Sequence, residues 1–474
     1  MKWLALLAAL TALRLVVAWI VPLSPDEAYY WVWSRTLQPG YRDHPPMVAL
    51  FIRAGTLLAG EGAFGIRLIG ILGIALASIL LARAADDLFP DRRPGVWAAA
   101  LFNATLLAGI GGMLATPDLP LLVFWIAGLW ALARLHATQD GRWWLVFGVM
   151  AGLALVSKYT AGLLGIGVLA WLIGSRAAWR WWRDWRLYAG GALAALVFAP
   201  VVFWNATHGW ASFAKQGGRA GTDEGGFTLR FLGELIGGQF GLATPLVFVM
   251  SVVGIAAATR AWSRRGDAAA GLLGALVLPG VALFLWQATG SRVQTNWPAP
   301  LWPAACIAAA VFVAPRWRRP AMGVGLAITL AVYVQAAFAP LPLGRAQDPT
   351  LARLGGWEDF TRDVEAERQR QGARFVAAEE YGLAALLAQR LPAGVPVIAL
   401  HSRWALFDLP RPAPGEAGLL VQSARRDSVP DWPAAMPLDQ GLDRSRRGIL
   451  AERYRLFRVE TLPDLPASAI LPRP

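Results

Sequence analysis

The sequence is poor in cysteine, histidine and charged residues. Of its 474 residues, one is cysteine, four are histidine and only 16% are Asp, Glu, Lys or Arg. The single cysteine, Cys306, excludes an intramolecular disulfide and any metal site built from several cysteines. Ordinary soluble domains are roughly one quarter charged, so the shortage of charge excludes that class of protein.

Long apolar runs take the place of the missing charge. Hydrophobic residues make up 56% of the chain, and several runs reach the length of about 20 residues that a helix needs to cross a bilayer. The net charge is +13, and much of the excess lies in short loops between apolar runs. That pattern is typical of cytoplasmic loops, so we expect membrane lipids and no nucleic acid as partners. The sequence predicts a polytopic α-helical membrane protein.

The basic loops predict about eleven transmembrane helices with the N-terminus inside. Because successive cytoplasmic loops are separated by an even number of crossings, the apolar run at residues 143–174 is predicted to contain two short helices that meet outside, near Lys158. The basic loops that fix this topology lie at residues 86–94, 137–142, 175–186, 260–267 and 315–320.

The composition changes after residue 340, where charges become frequent and long apolar runs end. We therefore expect a membrane domain at residues 1–340 and a small soluble α/β domain at residues 341–474, on the outer side. Alternation of short apolar strands with helical segments supports the α/β prediction. The predicted strands are residues 375–378, 397–400 and 418–422, and the predicted helices are residues 357–371 and 380–389.

The polar clusters that could carry chemistry all fall on the predicted outer side. The first follows the first apolar run, and the others lie between residues 43 and 297. Carboxylates near an apolar boundary are costly unless they have a function. The candidates are Asp26, Glu27, Tyr29, Tyr30, Asp43, His44, Asp118, Lys158, Tyr159, Arg219, Arg292, Asn296 and Trp297.

These residue types suit the displacement of a lipid phosphate from a sugar carbon. Carboxylates supply a general base, and Lys, Arg and His supply cations for a phosphate leaving group. Structural alternatives remain open for several of them: Asp26, Glu27 and Asp118 as residues of a first helical turn, His44 as a turn residue, Lys158 as an interfacial anchor, and Arg219 as part of a flexible surface loop. No cofactor is firmly predicted, and a divalent cation held by Asp26, Asp43 and Asp118 is left open.

Residues 26–31 and 41–46, read together, resemble the first external loop of bacterial lipid-dependent glycosyltransferases of the C-type fold. This family is related to protein O-mannosyltransferases and lipid A aminoarabinose transferases. Residues 116–118, 152–159 and 293–298 resemble its galacturonosyltransferase branch in the same order, and residues 380–384 continue the likeness weakly. The combination is specific, whereas no single motif is.

The resemblance implies an inverting glycosyltransferase in the bacterial inner membrane, with its active site and C-terminus periplasmic. Its donor would be a polyprenyl-phosphate sugar and its acceptor a lipid or glycan, such as lipid A or its core. Asp26 matches the family's acidic base, with Glu27 and Asp43 beside it. His44 stands where the aminoarabinose enzymes carry a phosphate-binding Lys. Because a neutral His is a weaker phosphate partner, Lys158, Arg219 or Arg292 would bind the donor phosphate instead. The alternatives are a polyprenyl-lipid flippase and a non-catalytic sensor.

Overall fold

The structure is a computed structural model that describes residues 2–220, 228–426, 428–462, 465 and 467–474. Contacts divide the chain into two compact units. The first unit contains Met1–Arg14, Pro39–Phe51 and Ile69–Leu330. The second unit contains Leu15–Gln38, Ile52–Leu68 and Ala331–Pro474. The tail of the chain therefore shares its unit with two segments from the N-terminal region.

Helices dominate the chain up to residue 338. The described residues form eighteen α-helices: α1 (Lys2–Ile20), α2 (Pro25–Arg35), α3 (Met47–Ala59), α4 (Ala63–Leu88), α5 (Gly95–Asn103), α6 (Asp118–Thr138), α7 (Trp143–Ser157), α8 (Gly162–Gly174), α9 (Trp185–Thr207), α10 (Ala211–Ala220), α11 (Arg230–Leu242), α12 (Pro245–Arg265), α13 (Ala268–Gln287), α14 (Trp302–Phe312), α15 (Arg318–Phe338), α16 (Pro349–Leu354), α17 (Trp357–Arg370) and α18 (Tyr381–Arg390).

Seven helices in the described part of the chain are long and apolar enough to cross a membrane, or eight if one bent pair counts as a single span. Three shorter apolar helices accompany them. The apolar run at residues 143–174 is divided into α7 and α8, with the break at Lys158, as predicted. The multi-span helical prediction is confirmed, and the count of eleven spans stays a prediction.

Close helix packing holds the first unit together. Its buried core joins residues of α4 to α8 with residues of α12 to α14. Gly148 of α7 faces Gly190 of α9 so closely that a Cβ on Gly148 would lie 2.1 Å from the Gly190 carbonyl oxygen. Any larger residue at this crossing would push the two helices apart. Small residues allow such backbone approach in membrane helix pairs.

The second unit contains a mixed β-sheet covered by α17 and α18. Its strands are β1 (Phe375–Ala378), β2 (Val397–Leu400), β3 (Ala417–Ser423), β4 (Met436–Pro437), β5 (Leu442–Arg446), β6 (Ile449–Glu460) and β7 (Ser468–Ile470). The sheet order is β4-β6-β3-β1-β2-β7, and β5 also pairs with β6. β1 runs parallel to both β2 and β3. The predicted strands and helices are all present within two residues of their predicted ends.

The loop between the first two apolar segments forms α2, which belongs to the second unit. Ser24 caps this helix: its hydroxyl accepts the backbone N–H of Glu27, and the Glu27 carboxylate accepts the backbone N–H of Ser24. Pro25 occupies the first turn, where its missing N–H costs nothing. This capping box fixes the start of the helix and therefore the direction of the neighbouring Asp26.

Candidate active site

Asp26 lies in the first turn of α2, where two groups of the tail hold its carboxylate. Oδ1 accepts a hydrogen bond from the Tyr381 hydroxyl at 3.0 Å. Oδ2 forms an ion pair with Arg353 Nη1 at 3.1 Å. The Asp26 side chain is 37% exposed, so solvent or a substrate can still reach it. Capping alone does not account for this carboxylate, because its partners are side chains from distant parts of the chain.

Glu27 has different surroundings from its neighbour. Its carboxylate is fully buried, and Arg67 of α4 donates to it from Nε at 2.6 Å and from Nη2 at 2.7 Å. Arg67 also donates to the carbonyls of Val21 and Pro22. A paired, buried charge of this kind supports the fold around α2. Sequence reasoning missed Arg67, although an arginine inside an otherwise apolar helix signals a buried partner.

Aromatic side chains and an arginine pack against the ring of Tyr381. Tyr29, predicted to bind substrate, is buried edge-on against Tyr381 at 4.7 Å and against Trp404 at 5.4 Å. The Arg403 guanidinium lies 3.8 Å from the centre of the Tyr381 ring. Tyr30 is half-buried and packs against Tyr29 at 5.5 Å. This packing fixes the position of Tyr381, a residue that the weak motif at 380–384 contained but that received no role from sequence.

Three candidates from distant positions meet in the first unit. Asp118 begins α6, Lys158 lies at the break between α7 and α8, and Asn296 lies in the loop after α13. Lys158 Nζ donates to Asp118 Oδ1 at 2.7 Å, and Asn296 Nδ2 donates to Asp118 Oδ2 at 2.6 Å. Lys158 is therefore a buried, paired cation and not an exposed interfacial anchor. Buried polar groups inside membrane proteins commonly mark functional sites.

Helix α10 connects Tyr159 with Asp43 within the same unit. The Tyr159 hydroxyl is 2.7 Å from the Ser212 hydroxyl. One turn further along, Lys215 pairs with the Asp43 carboxylate, and Gln216 donates to the Asp43 carbonyl. Lys215 was not among the residues predicted to form the site. The predicted phosphate residue Arg219 lies in the last turn of this helix, and its side chain lies outside the described residues.

The remaining candidates are more dispersed. His44 is half-buried, and its carbonyl accepts the backbone N–H of Tyr41 at 3.3 Å, which closes the turn before the two prolines. Trp297 packs against the core of the first unit. The exposed Arg292 binds Glu234 through Nε at 2.7 Å and lowers the pKa of that carboxyl by hydrogen bonding. Arg292 thus already has an anionic partner.

No group of three His, Cys, Asp or Glu side chains in the described part of the chain could hold a metal ion. The divalent cation that the sequence left open, with Asp26, Asp43 and Asp118 as ligands, therefore gains no support from the geometry. Asp43 and Asp118 instead each neutralise a lysine.

Comparison with known proteins agrees with the residue pattern. The dolichyl-phosphate-mannose-protein mannosyltransferase family matches residues 43–204. The chain is 28% identical over 402 residues to the lipid A galacturonosyltransferase RgtD of Rhizobium johnstonii, covering 80% of this chain and 82% of that protein. It is 30% identical over 207 residues to the undecaprenyl phosphate-alpha-4-amino-4-deoxy-L-arabinose arabinosyl transferase of Pseudomonas aeruginosa, covering 38% of this chain and 36% of that protein.

The fold has a solved counterpart. The crystal structure of ArnT from Cupriavidus metallidurans bound to undecaprenyl phosphate superposes with a TM-score of 0.59 and 16% identity, covering 96% of this chain and 98% of that one. At that identity the likeness shows the fold alone. Taken with the match to residues 43–204 and the two relatives, it supports the resemblance to polyprenyl-phosphate-sugar glycosyltransferases of the C-type fold that the sequence motifs indicated.

Proposed function

We propose that this chain transfers one sugar from a polyprenyl-phosphate carrier to a lipid acceptor of the bacterial envelope, with lipid A or its core as the acceptor class. The similarity to a lipid A galacturonosyltransferase over most of both chains supports the acceptor class. The matched mannosyltransferase family and the arabinosyl transferase relative, whose names both contain a polyprenyl phosphate, support the carrier class. The flippase alternative gains no support, because the relatives bear the names of sugar transferases.

We assign the role of general base to Asp26. One observation carries this assignment: of the three carboxylates predicted to be catalytic, Asp26 is 37% exposed, whereas Glu27 is 0% and Asp43 is 7% exposed. A base must be within reach of the hydroxyl proton that it removes. Tyr381 and Arg353 fix the direction of the Asp26 carboxylate and leave it accessible. Glu27 is then a positioning residue, and Asp43 anchors α10.

The reaction would form one bond and break another at the anomeric carbon. As Asp26 takes the acceptor proton, the acceptor oxygen attacks that carbon, the bond to the phosphate oxygen breaks, and the configuration inverts. The departing phosphate gains negative charge, which a cation in a water-poor site stabilises. Lys158 suits this role because its ammonium has three donors, of which Asp118 uses one. Asn296, Tyr159 and Trp297 would border the sugar.

The proposed orientation puts the reacting groups and the C-terminus on the periplasmic side, in an inner-membrane protein. It rests on the basic loops of the sequence, which favour the cytoplasm. On this proposal, residues 1–340 form the membrane domain and residues 341–474 a soluble periplasmic domain. The tail domain takes part in the reaction through Tyr381 and Arg353.

Mass spectrometry of envelope lipids tests the proposal in the cell. Deleting the gene should remove the mass of one sugar residue from a lipid A or core species, and the wild-type gene should restore it. The Asp26→Asn gene should not restore it, whereas the matched control Asp140→Asn should. Asp140 is a carboxylate paired with Arg142 in a loop outside the proposed site. Unchanged envelope lipids in the deletion strain would reject the acceptor class.

A further inference from the structure

The chain turns sharply after α8 and continues as a 3₁₀ helix. This helix, Arg176–Arg183, has eight residues and is bent by 109° from the preceding helical segment, residues 159–174. Because α8 leads away from the break at Lys158, the 3₁₀ helix lies at the end of α8 that is remote from the Lys158–Asp118 pair. A bend close to a right angle places it along the membrane surface when α8 crosses the membrane.

A three-residue repeat in the sequence matches this helix type. A 3₁₀ helix has three residues per turn, so side chains at positions i and i+3 lie in line. The repeat therefore divides the helix into three rows, and from residue 178 onward each row has one chemical character. The first row contains Trp179 and Trp182, the second contains Arg180 and Arg183, and the third contains Ala178 and Trp181.

The third row attaches the helix to the first unit. Ala178 and Trp181 are buried and belong to the core of that unit. The Trp181 ring packs edge-on against the Trp144 ring of α7, with 6.0 Å between their centres. The Arg180 guanidinium lies 4.4 Å from the centre of the Trp181 ring and donates to the Gln139 carbonyl at 3.2 Å. These contacts fix the directions in which the other two rows face.

The tryptophan row is exposed. Trp179 and Trp182 are 52% and 37% exposed, and Trp185, three residues further on at the start of α9, is 65% exposed. Indole side chains prefer the interface between lipid and water to bulk water, because the ring is apolar and its N–H is polar. The row therefore fixes the depth of the 3₁₀ helix at the level of the lipid headgroups.

The neighbouring arginine row meets no acidic side chain in the part of the chain that the structure describes. The nearest acidic residue in the sequence, Asp184, pairs with Arg186 at 3.4 Å. Exposure alone does not indicate a ligand, since water satisfies an exposed arginine. The tryptophan row is a second observation, because it places the two guanidinium groups at the depth of lipid phosphates. Arg180 and Arg183 are one turn apart, about 6 Å, so both reach the phosphate of one lipid.

We infer that this 3₁₀ helix binds the headgroup of an anionic phospholipid. Arg180 and Arg183 donate charge-assisted hydrogen bonds to the lipid phosphate, and the tryptophan row packs beside the glycerol and the upper acyl chains. An anionic lipid binds better than a zwitterionic one, because it has no headgroup ammonium to repel the arginines. The inference is independent of the proposed transfer reaction, because none of these residues belongs to the candidate active site.

Lipid retention measures this preference on the intact protein. We would incorporate the full chain into nanodiscs of equal parts phosphatidylglycerol and phosphatidylcholine, extract it into mild detergent, and weigh the retained lipids by native mass spectrometry. Phosphatidylglycerol should be retained about 5- to 25-fold over phosphatidylcholine, since each arginine near an anionic surface contributes about fivefold. High salt during the extraction should weaken the preference. Equal retention of the two lipids at low salt would overturn the inference without any variant.

Two matched double variants locate the binding. Arg180→Gln with Arg183→Gln should retain the two lipids equally, because the phosphate loses both cations. Arg92→Gln with Arg93→Gln removes the same charge from exposed arginines of another basic loop and should keep the wild-type preference. A wild-type preference in the first double variant would overturn the inference, because the lipid then binds elsewhere. An equal loss in both double variants would also overturn it, because retention then follows total charge.

An added arginine tests the row itself. Ala177 is exposed and lies in the arginine row, one turn before Arg180. Arg183→Gln should lose about fivefold of the preference for phosphatidylglycerol, and Ala177→Arg in that background should restore it at the wild-type net charge. If the restored charge does not restore the preference in a protein that unfolds at the wild-type temperature, the row does not bind the lipid.

Discussion

At the scale of single residues, the account depends on the difference between two adjacent carboxylates. Asp26 is accessible and held by Tyr381 and Arg353, whereas Glu27 is buried against Arg67. Asp26→Asn should lower turnover of the purified enzyme by about 10²–10⁴-fold, the usual contribution of a general base. The variant should elute from gel filtration as wild type does. Asp140→Asn serves as the matched control, and wild-type turnover in Asp26→Asn would remove the assigned role.

Tyr381→Phe tests whether the tail positions the base. The change removes one hydroxyl and keeps the ring that packs against Tyr29 and Arg403. Loss of the hydrogen bond to Asp26 should lower kcat about 5- to 10-fold, the equivalent of about one hydrogen bond, and leave the donor KM unchanged. Tyr188→Phe removes a hydroxyl that donates only locally, to the Trp182 carbonyl. A drop in Tyr381→Phe that disappears in the Asp26→Asn background would show that the two residues act together.

Glu27→Gln should lower the stability of the folded protein. Breaking a buried ion pair typically costs about 3–5 kcal/mol, because the remaining charge is left buried without its partner. We expect a clear fall in the temperature of thermal unfolding in detergent, and partial recovery in the double variant Glu27→Leu with Arg67→Met. If Glu27→Gln unfolds at the wild-type temperature yet has lost transfer, Glu27 takes part in the chemistry and the structural assignment is wrong.

At the scale of elements, the contact between α2 and α18 positions Asp26. Gly382 follows Tyr381 in α18, and a Cβ on it would lie 2.8 Å from Pro25 Cβ. Gly382→Val should therefore move α18 away from α2 and lower transfer at least as much as Tyr381→Phe does. Gly394→Val is the control, because a Cβ there meets nothing within 4 Å. Equal transfer by both variants would mean that this close approach has no part in the activity.

At the scale of elements, the sequence predicted some strands and helix breaks correctly and missed others. Buried strands such as β1 and β2 are short apolar runs and were predicted at their true positions. β6 was missed, because its Arg and Glu residues alternate with buried ones and resemble a polar loop. The break at Lys158 followed from loop charge alone. The pairing of Lys158 with Asp118 and Asn296 confirms no role, but it brings together three candidates that were chosen separately.

Other parts of the site depend on partners that local patterns do not specify. Nothing near Glu27 in the sequence indicates Arg67, which lies 40 residues away. Tyr381 lies 355 residues from Asp26. Such pairs depend on the packing of whole elements, so a single sequence can nominate their members but cannot match them.

At the scale of the whole molecule, the proposed periplasmic orientation makes a labelling prediction. In a Cys306→Ala background, a cysteine at exposed Ala393 in the tail should react with an impermeant thiol reagent applied from the periplasm. A cysteine at exposed Ala177, in the basic loop after α8, should react only after the inner membrane is permeabilised. The reverse pattern would place the proposed site in the cytoplasm.

Turnover by the purified protein tests the central claim most directly. The full chain in detergent would receive a sugar-loaded polyprenyl phosphate and lipid A, and mass spectrometry would follow both products. We predict one free polyprenyl phosphate released for each lipid A molecule that gains one sugar, with no release when the acceptor is omitted. Intact donor and unchanged lipid A would contradict the proposed reaction, when a thermal unfolding measurement shows that the protein in the assay is folded.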